Sequence, residues 1–230
     1  MFVTAFLRPK TTYRSVERYF AEFENLANTG IPILLFLDTE FIDRTFPSNV
    51  RVIPTTLDMS WLPTHVELPA HRNPSKDTLE YFCIQLSKLA YLTKAREYTS
   101  DPILAWIDFG VFHMFNDKSE CARLLQTIAH GTILNEKILA PGCWPAGHYD
   151  WNSVCWRFCG SFLIGHRDLF PAAYAEQTRL VQTQFPHLTW EVNYWAQMEP
   201  FFHVYPANHD DSLLSRVMVF VQRHQGVSMD

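Results

Sequence analysis

The stretch Thr29-Gly-Ile-Pro-Ile-Leu-Leu-Phe-Leu-Asp38 decides the fold. From Ile31 to Leu37 it is a continuous apolar run, and it ends abruptly on a carboxylate. A strand covered on one face alternates apolar and polar residues. A continuous run is what a strand buried on both faces requires, as in a parallel sheet flanked by helices. Before it, Val16, Tyr19, Phe20, Phe23, Leu26 and Ala27 recur at helical spacing, so this segment predicts an amphipathic helix. Thr11 or Thr12 supplies its N-cap and Gly30 its terminating glycine. Phe2 to Leu7 reads as a first strand, closed by Arg8-Pro9, and Val50 to Ile53 as a shorter third one. A β-α-β-β opening is a doubly wound signature.

Further along, a long helix is predicted from Asn73 or Ser75 to about Glu97, with Leu79, Phe82, Cys83, Leu86, Leu89, Ala90 and Thr93 as its buried stripe. Pro102 to Ile107 reads as another buried strand, ending at Asp108-Phe-Gly110. The second half predicts a helix over Ser119–Ala129, strands over Thr132–Leu139 and Trp156–Ile164, and a helix capped by Asp168. An aromatic turn around Phe201 to Pro206 and a last strand over Arg216–Val221 complete it. No linker or repeat divides the chain, so residues 1–230 are expected to form one α/β domain: a Rossmann-like mixed sheet flanked by helices.

The 230 residues are 47% hydrophobic and 19% charged, an ordinary globular composition. The net charge is −5 without a dense Lys/Arg run, which argues against a nucleic-acid partner, since phosphates demand a basic stripe. Five cysteines with no Cys-x-x-Cys argue against a disulfide framework or a structural zinc site. Reduced thiols are the expectation. The apolar runs are too short to span a bilayer, and Met1 to Arg8 reads as a strand, not a leader. A cytoplasmic location follows, with at most peripheral association with a membrane.

Ligands of open α/β sheets bind outside the carboxyl ends of the strands. Asp108 stands at such an end, and Gly110 behind it lets a ligand approach the backbone. Asp108 is therefore a candidate ligand for Mn²⁺ or Mg²⁺ holding a diphosphate, against the commoner reading of a cap. One carboxylate needs help, and Asn208-His-Asp-Asp211 offers it: His209 first, Asp211 second. Glu191, set between Trp190 and Val192, is read as a desolvated carboxylate suited to general-base work or to a place beside an anomeric carbon. An exposed Glu in an alternating strand is the equal alternative. Arg14 opens the helix after the first strand, where a diphosphate would sit. Lys88 is a further candidate donor-binding cation, although most such residues are solvated, and Asp38 at the end of the second strand is a candidate for a ribose or base edge. His113, His148 and His166 are isolated and read as structural. No zinc-protease, P-loop, nucleophile-elbow or dinucleotide motif is present.

Phe2-Val-Thr-Ala-Phe6, the Arg14-x-x-x-Arg18-Tyr-Phe20 helix, Thr29 to Phe36 and Trp106-Ile-Asp-Phe-Gly110 resemble the HtrL/YibB (WlaTC-like) family, with Trp106 to Gly110 the most specific piece. The resemblance implies a GT-A glycosyltransferase that binds a nucleotide sugar, a UDP-sugar first, through a divalent metal. It implies transfer to a glycan or glycolipid acceptor of the cell surface or lipopolysaccharide type. Residues 1–115 would face the nucleotide sugar and residues 116–230 the acceptor. GT-A enzymes usually carry Asp-x-Asp where this chain has Asp108-Phe-Gly110, which shifts weight to His209 or Asp211. Arg157 to Phe162 is similar to an acceptor-side strand in which Gly160 would leave room for a sugar ring, and Trp144, Trp190 and Trp195 would stack on sugars. Two rivals remain: a sugar nucleotidyltransferase, which would show a Gly-rich loop where this chain has Arg8-Pro-Lys-Thr-Thr12, and a non-catalytic nucleotide-sugar or glycan-binding module.

Overall fold

The computed structural model describes residues 1–9, 14–62, 64–133, 135–147 and 150–222. Strand β1 (Phe2–Phe6) leads to α1 (Val16–Ala27), β2 (Ile33–Asp38) and β3 (Val50–Thr55). Ser15 caps α1, its side chain accepting from the Arg18 amide, and Thr11, Thr12 and His148 lie outside the described residues. Gly30 sits at φ +77°, the left-handed conformation that favours glycine after a helix. Helices α2 (Leu79–Leu86) and α3 (Lys88–Ala95) precede β4 (Ile103–Ile107), then α4 (Lys118–His130), β5 (Thr132–Ile133), β6 (Ile138–Gly142) and β7 (Phe162–His166). The chain continues with α5 (Phe170–Gln184), α6 (Glu191–Trp195), β8 (Phe202–Pro206), α7 (Ser212–Ser215) and β9 (Val221–Gln222).

Seven strands form one mixed sheet in the order β3-β2-β1-β4-β7-β6-β8, and β5 pairs with β9 apart from it. β3, β2, β1 and β4 run parallel, β7 is antiparallel to β4 and β6, and β8 runs parallel to β6. This is the single-domain Rossmann-like mixed sheet expected from the sequence. Both faces are buried, and alternate residues of each strand divide between them. Phe2, Phe6, Ile33, Leu35, Leu37, Ala105 and Ile107 pack on one side with α1 and α4. Val3, Leu34, Phe36, Leu104 and Trp106 pack on the other with α2, α3, α5 and α6.

Several elements differ from the expectation. The long helix is two helices that start later: Thr78 caps α2, and at Ser87 the chain breaks, its hydroxyl bonding back to the Cys83 carbonyl. Residues 191–195 form a helix and not an alternating strand, 202–206 form a strand and not a turn, and 156–161 precede β7 without joining it. The C-terminal strand is limited to β9, after α7 and a 3-10 turn at Val217–Phe220. No helix of the described residues is long and apolar enough to cross a membrane.

The first face is dominated by rings. Phe109, just beyond β4, stacks on Phe23 with centroids 4.3 Å apart and on Phe6 at 4.6 Å, and it meets Phe20 edge-on at 5.2 Å. Phe23→Ala should lower unfolding free energy by about 3–5 kcal/mol through the cavity it leaves. Urea unfolding measures this, and a loss under 1 kcal/mol would show that α1 is not anchored by this cluster.

Candidate functional site

The sheet's topological switch lies between β1 and β4: the chain leaves β1 towards β2 and β3 on one side and returns to β4 on the other. A crevice opens at the carboxyl ends of two such strands. Here it is a cavity of about 910 Å³. Leu7, Pro9 and Arg14 line it after β1, and Asp108, Phe109 and Gly110 after β4. Lys76, Asp77, Tyr81 and Lys88 come from the α2–α3 side, Trp144, Trp156 and Gly160 from the loops around β6 and β7, Trp190 and Glu191 from α6, and His209 from the turn after β8.

Its organising group is Lys88, 2% exposed. The break at Ser87 makes Lys88 the first residue of α3. Its ammonium donates to the Gly160 carbonyl at 2.8 Å and to Glu191 Oε1 at 2.8 Å, and it lies 3.2 Å from Asp108 Oδ1. Three N–H donors thus meet three acceptors. Burial pushes the Lys88 pKa down, but Asp108 and Glu191 push it up and prevail, so it lies above the ordinary 10.5. Asp108 Oδ1 also accepts from Trp106 Nε1 at 2.7 Å. With Phe109 locked in the ring cluster beneath, the Asp-Phe-Gly turn points one side chain into the core and holds its neighbour at the cavity.

The sequence-derived candidates divide. Asp108, Glu191, Lys88, Arg14, Gly110 and His209 all line the cavity. Lys88 is no solvated helix face, and Glu191 is not an exposed strand residue: it begins α6, is 5% exposed and is ion-paired to Lys88. That bond commits Oε1 to holding Lys88, which corrects the picture of a free general base. Asp38 accepts from the Arg8 and Glu40 amides, capping a 3-10 turn, and does not line the cavity. Asp211 is spent likewise: its two oxygens accept from the Asn116 and Asp117 amides, so it does not complete a metal set with Asp108. A Cβ built on Gly160 would overlap Glu191 Oε1 and come 3.2 Å from Lys88 Nζ. This glycine makes room for the ion pair, not for a sugar ring. Trp195 is fully buried with its indole N–H on Gln177, whereas Trp190 and the exposed Trp144 do line the cavity. His113 lines it too, with Nδ1 against the Gly110 carbonyl.

Sequence reasoning missed Lys76, Asp77, Tyr19, Tyr81 and Trp156. Burial first, then Glu191 and Asp108, raise the Tyr81 pKa well above its ordinary value, so its hydroxyl stays a proton donor at neutral pH. Burial also raises that of Tyr19, Arg14 opposing and Asp108 adding to it. Burial lowers that of His209 although its surface is partly open, so the imidazole is neutral at neutral pH. Among the described residues, no carboxylate pairs with Arg14 or Lys76. These two cations are available to an anionic ligand.

No protein-family model matches the chain, and no curated protein matches it either. Among solved structures, the bifunctional IspDF from Campylobacter jejuni is similar at 11% identity over 90% of this chain, with a TM-score of 0.45. The chain spans 48% of that protein's length. HddC from Yersinia pseudotuberculosis is similar at 11% identity over 89% of each chain, with a TM-score of 0.42. The galactosyltransferase LgtC in complex with donor and acceptor sugar analogues is similar at 9% identity, over 90% of this chain and 73% of its own, with a TM-score of 0.41. Likenesses of this degree assign no activity.

Lys88→Met should cost about 3–5 kcal/mol, because it strands two carboxylates beside a buried carbonyl. Lys88→Met/Glu191→Gln should recover part of that. A raised folded-state pKa gives stabilisation that is fully present below pH 10.5 and lost as pH rises through the folded value. The gap between wild type and Lys88→Met in urea unfolding should therefore narrow above pH 10.5. A pH-independent gap would show that Lys88 acts by packing alone.

Proposed function

We propose that the protein is a glycosyltransferase that moves a sugar from a nucleotide sugar, a UDP-sugar first, to a hydroxyl of a surface-glycan or lipopolysaccharide-type acceptor. The observation that carries this reading is the cavity at the β1/β4 switch, with two cations that no carboxylate of the described residues pairs, a half-exposed carboxylate and several aromatic faces around one space. Arg14 and Lys76 would take the diphosphate, and Trp144, Trp156 and Trp190 offer faces to the base and the sugars. Tyr81 would donate a hydrogen bond to a substrate oxygen. The nucleotide side would be built by residues 1–115, and the acceptor side by residues 116–230 around Trp144, Trp156 and His209.

Of the two carboxylates read as catalytic, Asp108 is the accessible one, its side chain 35% exposed against 6% for Glu191. Asp108 would meet substrate directly, and Glu191 would position it through Lys88. Mn²⁺ or Mg²⁺ fits this set only in a reduced form: Asp108 Oδ1 is taken by Lys88 and Trp106, leaving one oxygen for the ion and the remaining positions to donor phosphates and water. When bound, such an ion would neutralise the charge developing on the leaving diphosphate. A sugar nucleotidyltransferase could use the same cations. The glycine-free stretch Arg8 to Thr12 after β1 favours glycosyl transfer.

A thermal-shift screen of UDP, GDP, CMP and dTDP, each with and without Mn²⁺, tests the donor site. UDP should raise the melting temperature, and more so with Mn²⁺. Arg14→Ala should weaken UDP binding about tenfold, the loss of one charge-assisted hydrogen bond. Asp108→Asn should abolish the Mn²⁺ increment and transfer. If no nucleotide shifts the melting temperature, the donor-site reading is wrong and a glycan-binding module without turnover takes its place.

A further inference from the structure

Three segments distant in sequence converge beside the cavity. Cys143 directly follows β6, Cys159 lies shortly before β7, and His209 is in the turn after β8. Cys143 Sγ and Cys159 Sγ are 3.0 Å apart, both as free thiols. These two sulfurs and a ring nitrogen of His209 all lie within 4.8 Å of one another. Cys159 is fully buried, with Sγ 3.6 Å from the Ala207 carbonyl, and Cys143 is half-buried. The His209 ring is held edge-on to Trp156, centroids 4.8 Å apart.

We propose that Cys143, Cys159 and His209 form a zinc site. Two thiolates and an imidazole are soft and borderline donors, suited to Zn²⁺ and not to Mn²⁺ or Mg²⁺, which take oxygen ligands. A tetrahedral zinc with bonds of about 2.3 Å to sulfur and about 2.0 Å to nitrogen sets its ligand atoms about 3.5–3.8 Å apart. The sulfurs stand somewhat closer than that and all three ligand atoms fall within 4.8 Å of one another, so side-chain adjustments suffice. Binding displaces two thiol protons to solvent, and the imidazole binds through the lone pair of a ring nitrogen. Three protein ligands leave a fourth position for water or a substrate atom. The ion would tie the end of β6, the approach to β7 and the turn after β8 together. These are the segments that carry Trp144, Trp156 and Gly160 into the cavity wall. Such a clamp rests on these three side chains alone and holds whether or not the protein is a glycosyltransferase.

Elemental analysis of the whole protein, purified without chelators under reducing conditions, loaded with zinc and dialysed against nitrilotriacetate, reads the site directly. Wild type should retain one zinc per chain, whereas Cys143→Ser and His209→Gln should each lose it. His209 lies at the rim, so its variant tests the site without disturbing the core. Co²⁺ loading should give a thiolate-to-cobalt charge-transfer band that Cys143→Ser lacks. A strong zinc chelator should lower the melting temperature of wild type and not of Cys143→Ser. Zinc absent from wild type, zinc retained by both variants, or a Cys143–Cys159 disulfide found by mass spectrometry under the same reducing conditions would each overturn the proposal. None of these readouts uses nucleotide or activity, so the donor-site reading stands or falls separately.

Discussion

The site depends on one buried ammonium. Taking Lys88 out of water costs several kcal/mol, and such a group persists only if every donor is met. The Gly160 carbonyl, Glu191 and Asp108 meet them, and they come from three different parts of the chain. A helix start, a loop before β7, a short helix and the end of a central strand are thereby fixed against one another. The cavity is what this junction encloses on its open side.

Two packing constraints keep the junction in place. Below it, the Phe109 ring stacks on Phe23 and Phe6, so the turn that presents Asp108 cannot move without opening the core. Beside it, Gly160 lets the Glu191 carboxylate come close enough to reach Lys88. The reversal of strand order between the parallel strands β1 and β4 then decides where the opening lies. Rigid supports of this kind suit a site that must hold charges apart from water yet expose one carboxylate.

The first half of the fold was legible because β1, β2 and β4 are buried on both faces and the first helix carries an unbroken stripe. Ile33 to Leu37 and Phe20, Phe23 and Leu26 leave no other arrangement. The second half was less so. Ser87 does not announce a helix break, and without that break Lys88 looks like one more solvated lysine. The aromatic run around Glu191 carries β propensity, yet residues 191–195 are helical, with Glu191 held on Lys88 at the helix start. Phe202 to Pro206 looked like a turn because Pro206 ends it, although a strand's last residue tolerates proline. The cavity-lining positions of Asp108, Arg14 and Gly110 were readable from strand and helix ends, and that of His209 from a polar break between apolar segments. Lys76, Tyr81 and the Cys143–Cys159–His209 convergence were not, since spacings along the chain give no hint of contacts made across the sheet.

The glycine before β7 has a consequence for ancestry. Residues 88, 108, 160 and 191 form one physical unit, so drift at one is tolerated only with a matching change at the others. A lineage could replace the ammonium and both acids together by apolar groups, at which point the glycine would be free to grow a side chain. Loss of glycine at that position in a diverged copy would therefore mark a chain that had abandoned the charged junction, long after the overall sequence had become too different to compare.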